Sequence, residues 1–318
     1  MSVTDLSARR AEALPVEAVA RQEESLARLA WRRFRRHRMA MVGAFIMLGL
    51  VGYIVIGSIV FSEADANFND VKQRFLAPSA GHVFGTDEIG RDVMARTIYG
   101  GQISIIIGLV AAFISVAVGT LVGSLAGYYG GLLDSLLMRF TEAMLTIPQI
   151  FLLLVMAKFF GNRIGDIEFL GRKFSGSVIV IVLIIGVTSW MYVARIVRST
   201  FLSLREQEFV VAAECLGVRK RRIIYGHILP NAMAPIIVAA TLGVANAIIT
   251  EAYISFLGLG VRPPTATWGS MMEGATSAVI QGHWWLWFFP GLLIVLTTLG
   301  INFIGDGLRD ALDPRSIR

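Results

Sequence analysis

The 318-residue sequence has one cysteine, four histidines and little charge, with Asp, Glu, Lys and Arg at 16% against roughly 25% in soluble globular domains. Cys215 alone excludes an internal disulfide and leaves no thiol cluster for zinc or an iron–sulfur centre. The histidines make no HExxH pair, and no metal site or nucleophile–base set is legible. GxxxxGK[ST] is absent, so the chain has no phosphate-cradling loop of that type for ATP.

The charge is missing in blocks. Residues 39–62, 97–133 and 174–194 carry none, 223–250 and 274–305 hold only His227 and His283, and 140–157 is broken only by Glu142. Apolar residues make up 55% of the chain, and mean hydropathy is +0.66. Hydrocarbon about 30 Å thick needs about 20 helical residues to cross. The expected fold is therefore all-α and integral to a membrane, with six transmembrane helices at 39–61, 102–126, 136–160, 177–199, 233–256 and 284–305. A polar tail of some 38 residues before the first of these argues against a cleaved signal peptide.

The net charge of +6 does not point to nucleic acid, because the basic residues flank apolar blocks. Nine arginines precede the first span, the last of them abutting Met39. With both termini inside, 20 Lys and Arg fall on the cytoplasmic side and 9 outside, so the positive-inside rule favours N-in, C-in. Residues 1–14 are polar. From Pro15 to Arg38 the helical spacing of Leu26, Leu29, Ala30 and Phe34 predicts a helix on the inner membrane surface, against the alternative of a solvated tail. In the outer segment 62–101, Asp87 is the expected cap of a short helix from Glu88 to about Tyr99, with Arg91 and Asp92 pinning it. Pro148 predicts a kink in span three. Trp284, Trp285 and Trp287 suit an outer aromatic belt.

The loop 200–232 between spans four and five is the most informative segment. Residues 206–216 are good helix formers, Gly217 sits where a left-handed turn wants glycine, and a second helical piece is expected to stop before Pro230. Ala212 and Ala213 offer small side chains for close approach of another surface. Arg219, Lys220, Arg221 and Arg222 give the element a strong positive charge, which a membrane anchor also explains.

Ala212 and Ala213, Gly217, and then His227, Ile228, Leu229 and Pro230 stand at spacings that resemble the EAA loop of ABC importer permeases. Val211 stands where that pattern usually has Glu, and His227 where it usually has Ile. Both departures, with Asn231 after Pro230, resemble the peptide-importer branch. So do FGTDEIGRDV at 84–93, EAYISFLGLG at 251–260, the prolines at 263–264 with TWG at 267–269, and NFIGDGLRDALDPR at 302–315. Over roughly 82–315 the chain is similar to the C-type permease subunit of dipeptide and oligopeptide importers.

That resemblance implies a multi-pass subunit of the bacterial cytoplasmic (inner) membrane, with no catalytic residue and no cofactor of its own. It would pair with a homologous B-type permease, two ATPase subunits that use ATP and magnesium, and an extracytoplasmic peptide-binding protein. The ATPase-coupling residues it implies are Glu208, Ala212, Ala213, Gly217, Arg219, Lys220, His227, Leu229, Pro230 and Asn231. Importers of nickel chelates, glutathione and antimicrobial peptides share this pattern. Selection would rest largely with the binding protein.

In span five, Ala239, Gly243, Asn246 and Thr250 make a small and polar stripe that suits either helix packing or the translocation path. Glu251 and Glu142 are ionisable groups at or within spans, hence site candidates, with interfacial placement or pairing to Arg139, Arg195 or Arg198 as the structural alternative. An ion-coupled secondary carrier is the competing function from another class; it would leave the basic loop unexplained, and no internal repeat is visible. A channel or membrane enzyme is a third, lacking a recognisable filter or nucleophile.

Overall fold

A computed structural model describes residues 26–161, 163–169 and 172–312. The expectations for the polar tail, for the first part of the surface helix and for the end of the 302–315 motif lie outside those residues. The chain is almost entirely helical. Its elements are α1 (Leu26–Arg36), α2 (Arg38–Val60), α3 (Glu63–Asn67), α4 (Val93–Tyr129), α5 (Gly131–Thr146), α6 (Gln149–Phe160), the strands β1 (Ile167–Phe169) and β2 (Arg172–Phe174), α7 (Gly176–Arg205), α8 (Glu208–Cys215), α9 (Met233–Phe256), α10 (Trp268–Met271), α11 (Ala275–Ile280) and α12 (Trp285–Leu312). β1 and β2 pair antiparallel in a small hairpin that the sequence did not suggest.

Among the described residues five helices, α2, α4, α7, α9 and α12, are long and apolar enough to cross a membrane, and α5 with α6 makes a sixth crossing if the bent pair counts as one. Their outward faces are oily: Ile59, Leu48 and Phe45 on α2 and Leu132 on α5 are all more than two-thirds exposed. In water this would be an error, whereas lipid is the matching solvent.

The tightest packing is between α4 and α7. Gly119, Gly123 and Gly127 recur every fourth residue, so they lie on one face of α4. A Cβ on them would come within 2.6 Å of Val193 Cβ, 2.5 Å of the Ala194 carbonyl and 2.6 Å of Phe201 Cβ respectively. Small residues in membrane helices let backbones approach for dispersion contact. The matched residues rise together along both helices, so α4 and α7 run parallel. The chain between them must cross back, and α5 with α6 makes that return.

The return is not one kinked helix. α5 and α6 meet at 84°, because Ile147 precedes Pro148 and is extended (φ −76°, ψ 123°), and Pro148 has no N–H to continue the ladder. The expected single span 136–160 is therefore two helices.

The expected helix at 88–99 is corrected as well. Gly90 has φ +82° and its α-carbon lies against the Asp70 carbonyl, so no helix passes through it. Asp87 instead builds a turn, its Oδ1 accepting from the amides of Ile89 (3.0 Å) and Arg91 (2.9 Å). The cap of α4 is Asp92, which accepts from the Ala95 amide at 2.9 Å. His82 Nδ1 lies 2.8 Å from the other oxygen of Asp92, and its Nε2 lies 2.7 Å from Gln73 Oε1. From Val93, α4 runs on for 37 residues, about 55 Å at 1.5 Å each.

Near the chain ends, α1 puts Ala30 and Phe34 against Ala40 of α2 and Ile304, Leu308 and Ala311 of α12. These residues cover the foot of the bundle. Trp285 departs from the belt: it is buried, and its indole N–H donates to the Thr86 carbonyl at 3.1 Å, while Trp284 remains exposed.

Gly123→Val is expected to destabilise the purified protein by about 1–3 kcal/mol through overpacking against α7, with lower folded yield and a lower melting temperature. Gly49→Val, where a Cβ meets nothing within 4 Å, is the control; equal melting temperatures would remove the glycine face as the reason for the close approach.

Candidate functional site

The segment 206–231 projects from the end of the bundle where α4 and α7 finish and α9 begins. α8 is shorter than the 206–216 helix expected, spanning Glu208–Cys215. It ends in the glycine-dependent turn: Gly217 has φ +71°, its amide donates to the Glu214 carbonyl at 2.9 Å, and the Val218 amide donates to Ala213 at 3.1 Å. A Cβ on Gly217 would meet no atom within 4 Å, so only the backbone conformation demands glycine there.

Beyond the turn come an α turn Lys220–Arg222, a π-helical stretch Ile223–Ile228 and a further α turn Leu229–Asn231. The helix does not stop before Pro230. Leu229 stays helical (φ −58°, ψ −43°) with its amide bonded five residues back to Ile224, and Ala232 resumes the ladder on Ile228 at 3.0 Å. Widening the helix by one residue carries it past a proline that has no N–H to give. Asn231 Nδ2 donates to the His227 carbonyl at 2.6 Å.

The segment is bolted to the bundle. Val210, Ala213, Ile223, Ile224 and Ile228 are buried with Val197 and Phe201 of α7 and Tyr128 of α4. Tyr128 donates to Glu214 Oε1 at 3.2 Å, and Arg205 donates to the Tyr128 carbonyl at 3.0 Å. The Lys220 ammonium lies 5.8 Å from the Tyr129 ring. Tyr128 and Tyr129 are contacts to this segment that the sequence reading missed; their position at the last turn of a long apolar run facing a basic loop was the available signal.

The ten residues expected at this element divide. Glu208, Ala212, Gly217, Arg219, Lys220, Pro230 and Asn231 are exposed, His227 and Leu229 are half-buried, and Ala213 is buried. Ala213 therefore packs inward and offers no surface to a partner, unlike Ala212. Beside Ala212 the exposed side is apolar: Leu216 is 82% exposed, and Phe209 and Val211 are open too. A surface at once apolar and basic suits a protein partner better than water.

The stripe on α9 divides likewise. Asn246 is exposed and Gly243 and Thr250 half-buried, with the Thr250 hydroxyl donating to the Asn246 carbonyl at 2.7 Å. Glu251 lies on another side, with no exposure at all. Its partners are hydroxyls, in place of Arg139, Arg195 or Arg198: Ser255 and Thr267 donate to Oε1 at 2.7 Å each, and Ser104 approaches Oε2 at 3.5 Å. Ser104 Oγ also accepts the Trp268 amide at 3.1 Å, and Trp268 Nε1 donates to the Thr97 carbonyl at 2.8 Å. One carboxyl group thus ties α4, α9 and the start of α10 together at the end of the bundle opposite the 206–231 segment. Glu142 is exposed on α5; its neighbour Arg198 is held by Asp134 at 2.5 and 2.7 Å.

Residues 119–318 match the model of the binding-protein-dependent transport system inner membrane component family, and 25–78 match the N-terminal transmembrane domain of oligopeptide transport permease C. Among curated relatives, the dipeptide transport system permease protein DppC of Bacillus subtilis is 40% identical, covering 94% of this chain and 89% of that protein. The oligopeptide transport system permease protein OppC of the same organism is 37% identical (96% and 95% covered), and OppC of Haemophilus influenzae 38% (94% and 92%). Among solved structures, an inward-facing form of the MetNI methionine ABC transporter aligns with TM-score 0.53 at 20% identity, covering 69% of this chain and 97% of that one.

Glu251→Ala is expected to lower the melting temperature more than Glu251→Gln, because alanine leaves buried hydroxyls without an acceptor, each at a cost of about 1–3 kcal/mol, whereas the amide keeps one oxygen. Equal melting temperatures for the two variants would show that the hydroxyls do not depend on this side chain.

Proposed function

Because the chain belongs to the family of binding-protein-dependent transport system inner membrane components, and is a multi-pass membrane permease of the dipeptide and oligopeptide branch, we propose that it forms half of the translocation pathway of an ATP-driven peptide importer. Its partners in this reading are a homologous B-type permease, two ATPase subunits in the cytoplasm and an extracytoplasmic peptide-binding protein. The chain itself does no covalent chemistry: ATP and magnesium belong to the ATPases, and this subunit converts their closure into alternating access. Both termini and the 206–231 segment face the cytoplasm, which accords with the positive charge gathered there.

The observation that carries the reading is the rigid seat of α8. An ATPase surface docked on Phe209, Val211, Ala212 and Leu216, with Arg219 and Lys220 beside it, pushes on an element whose other side is packed into the last turns of α4 and α7. Displacement there passes to two parallel spans as a rigid-body movement. Gly217 sets the angle at which α8 meets the following helix, while His227, Leu229, Pro230 and Asn231 fix that helix to α9. On α9, Gly243, Asn246 and Thr250 line the path, and Glu251 holds the outer end of the helix in place.

Gly217→Val forces a β-branched residue into left-handed geometry, a strain of about 1–2 kcal/mol. It is expected to lower peptide uptake and binding-protein-stimulated ATP hydrolysis about tenfold, with the complex still assembled; Gly217→Asn retains most activity, since asparagine tolerates that geometry. Normal uptake by the valine variant would sink the coupling role. For substrate, the assembled complex is expected to take up labelled di- and oligopeptides in preference to nickel or glutathione. With the exposed Cys215 replaced by serine, Asn246→Cys is expected to react with an aqueous thiol reagent during turnover, while Ala247→Cys, buried in the core, stays unreactive; protection of both in every state would remove α9 from the pathway.

A further inference from the structure

At the end of the bundle opposite the 206–231 segment lies a cavity of about 460 Å³, within the size range of about 300–1,000 Å³ typical of small-ligand sites. One wall comes from the 84–96 region, with Glu88, Arg91 and Arg96, and the other from the 261–286 region, with Ser270, Glu273 and Ser277. Arg96 sits in the first turn of α4 with its side chain 7% exposed, its Nη1 wholly buried and, among the described residues, without a hydrogen-bond partner.

The nearest carboxylate does not supply one. Asp87 Oδ2 stands 3.9 Å from Arg96 Nε, beyond hydrogen-bonding distance, and is already bonded to Arg91 Nε at 2.5 Å. Its Oδ1 holds the amides of Ile89 and Arg91. Arg96 lines this polar cavity, and an unpartnered buried guanidinium N–H calls for an acceptor, for which a carboxylate matches its geometry and charge best. Apart from Arg96 and the Asp87–Arg91 pair, the charged side chains lining the cavity are acidic: Glu88 and Glu273 are both exposed. A buried cation and exposed carboxylates suit a zwitterion that enters carboxylate first and leaves its ammonium beside the glutamates.

We propose that this cavity binds the α-carboxylate of a small free zwitterion, an unblocked short peptide, at Arg96. The choice of a peptide rests on the importer reading above, whereas the carboxylate site does not. A carboxylate side chain of a docking protein carries the same chemistry. The concave shape and ligand-sized volume favour a small solute.

The test is equilibrium dialysis of labelled dialanine against the purified permease complex without its binding protein, in parallel with dialanine amide and N-acetyl-dialanine. Dialanine is expected to bind, and amidation to weaken it roughly tenfold or more, a comparison that needs no variant. Arg96→Gln has the same effect as amidation. Glu273→Gln, at an exposed position, weakens dialanine but leaves the acetylated peptide unchanged. Absence of dialanine binding, equal binding of the amide, or an indifferent Arg96→Gln variant that remains folded overturns the proposal. So does loss of binding-protein docking in Arg96→Gln with no binding of free dialanine, which assigns the carboxylate to a protein side chain. Peptide uptake is measured on the same preparations: dialanine bound at Arg96 without uptake of any peptide would leave the cavity assignment standing and sink the importer reading alone.

Discussion

The close approach of α4 and α7 governs the rest of the molecule. Three glycines four residues apart allow two parallel helices to touch backbone to backbone over their second halves, and in lipid such packing replaces the hydrophobic drive that would hold them together in water. Being parallel, the two spans need a return crossing, which the broken pair α5 and α6 provides. Ending together, they offer Tyr128, Val197 and Phe201 as one platform on which the 206–231 segment rests.

Much of this was legible because a bilayer imposes simple rules on composition. The uncharged blocks located every long helix, and the bounds of α9 coincide with the expected 233–256. Gly217 was legible because only one residue type takes a positive φ freely. The failures share a cause, the competition between neighbours that a spacing cannot show. Asp87 and Asp92 are both good caps, and Gly90 between them decides in favour of the second. Pro148 and Pro230 look alike in sequence, yet one breaks the chain at 84° and the other is carried through by a π-helical stretch. Ala212 and Ala213 are adjacent, so a helix must send them to different sides. The glycine face of α4 was in plain view as a four-residue repeat inside an apolar run.

Glu251 shows how a polar group in a span is met by partners that spacing alone does not reveal. Its neighbours Ser104, Ser255 and Thr267 are common residues with no pattern in sequence, and only the fold brings them from three segments to one carboxyl group. The same end of the bundle holds Arg96, where the bookkeeping of donors does not close. One buried polar group is fully met from within the chain and the other is not, and that difference separates a structural tie from a binding site.

The π-helical stretch Ile223–Ile228 amounts to a one-residue insertion in an otherwise α-helical rod. A residue added or removed elsewhere between Gly217 and Pro230, with no such widening to absorb it, would swing α8 about 100° around the axis of the following helix. The buried side of α8 would then face away from Tyr128 and Phe201. Chain length between Gly217 and Pro230 is thus as firmly constrained as any side chain there, and the segment should tolerate substitution far better than it tolerates a change in its number of residues.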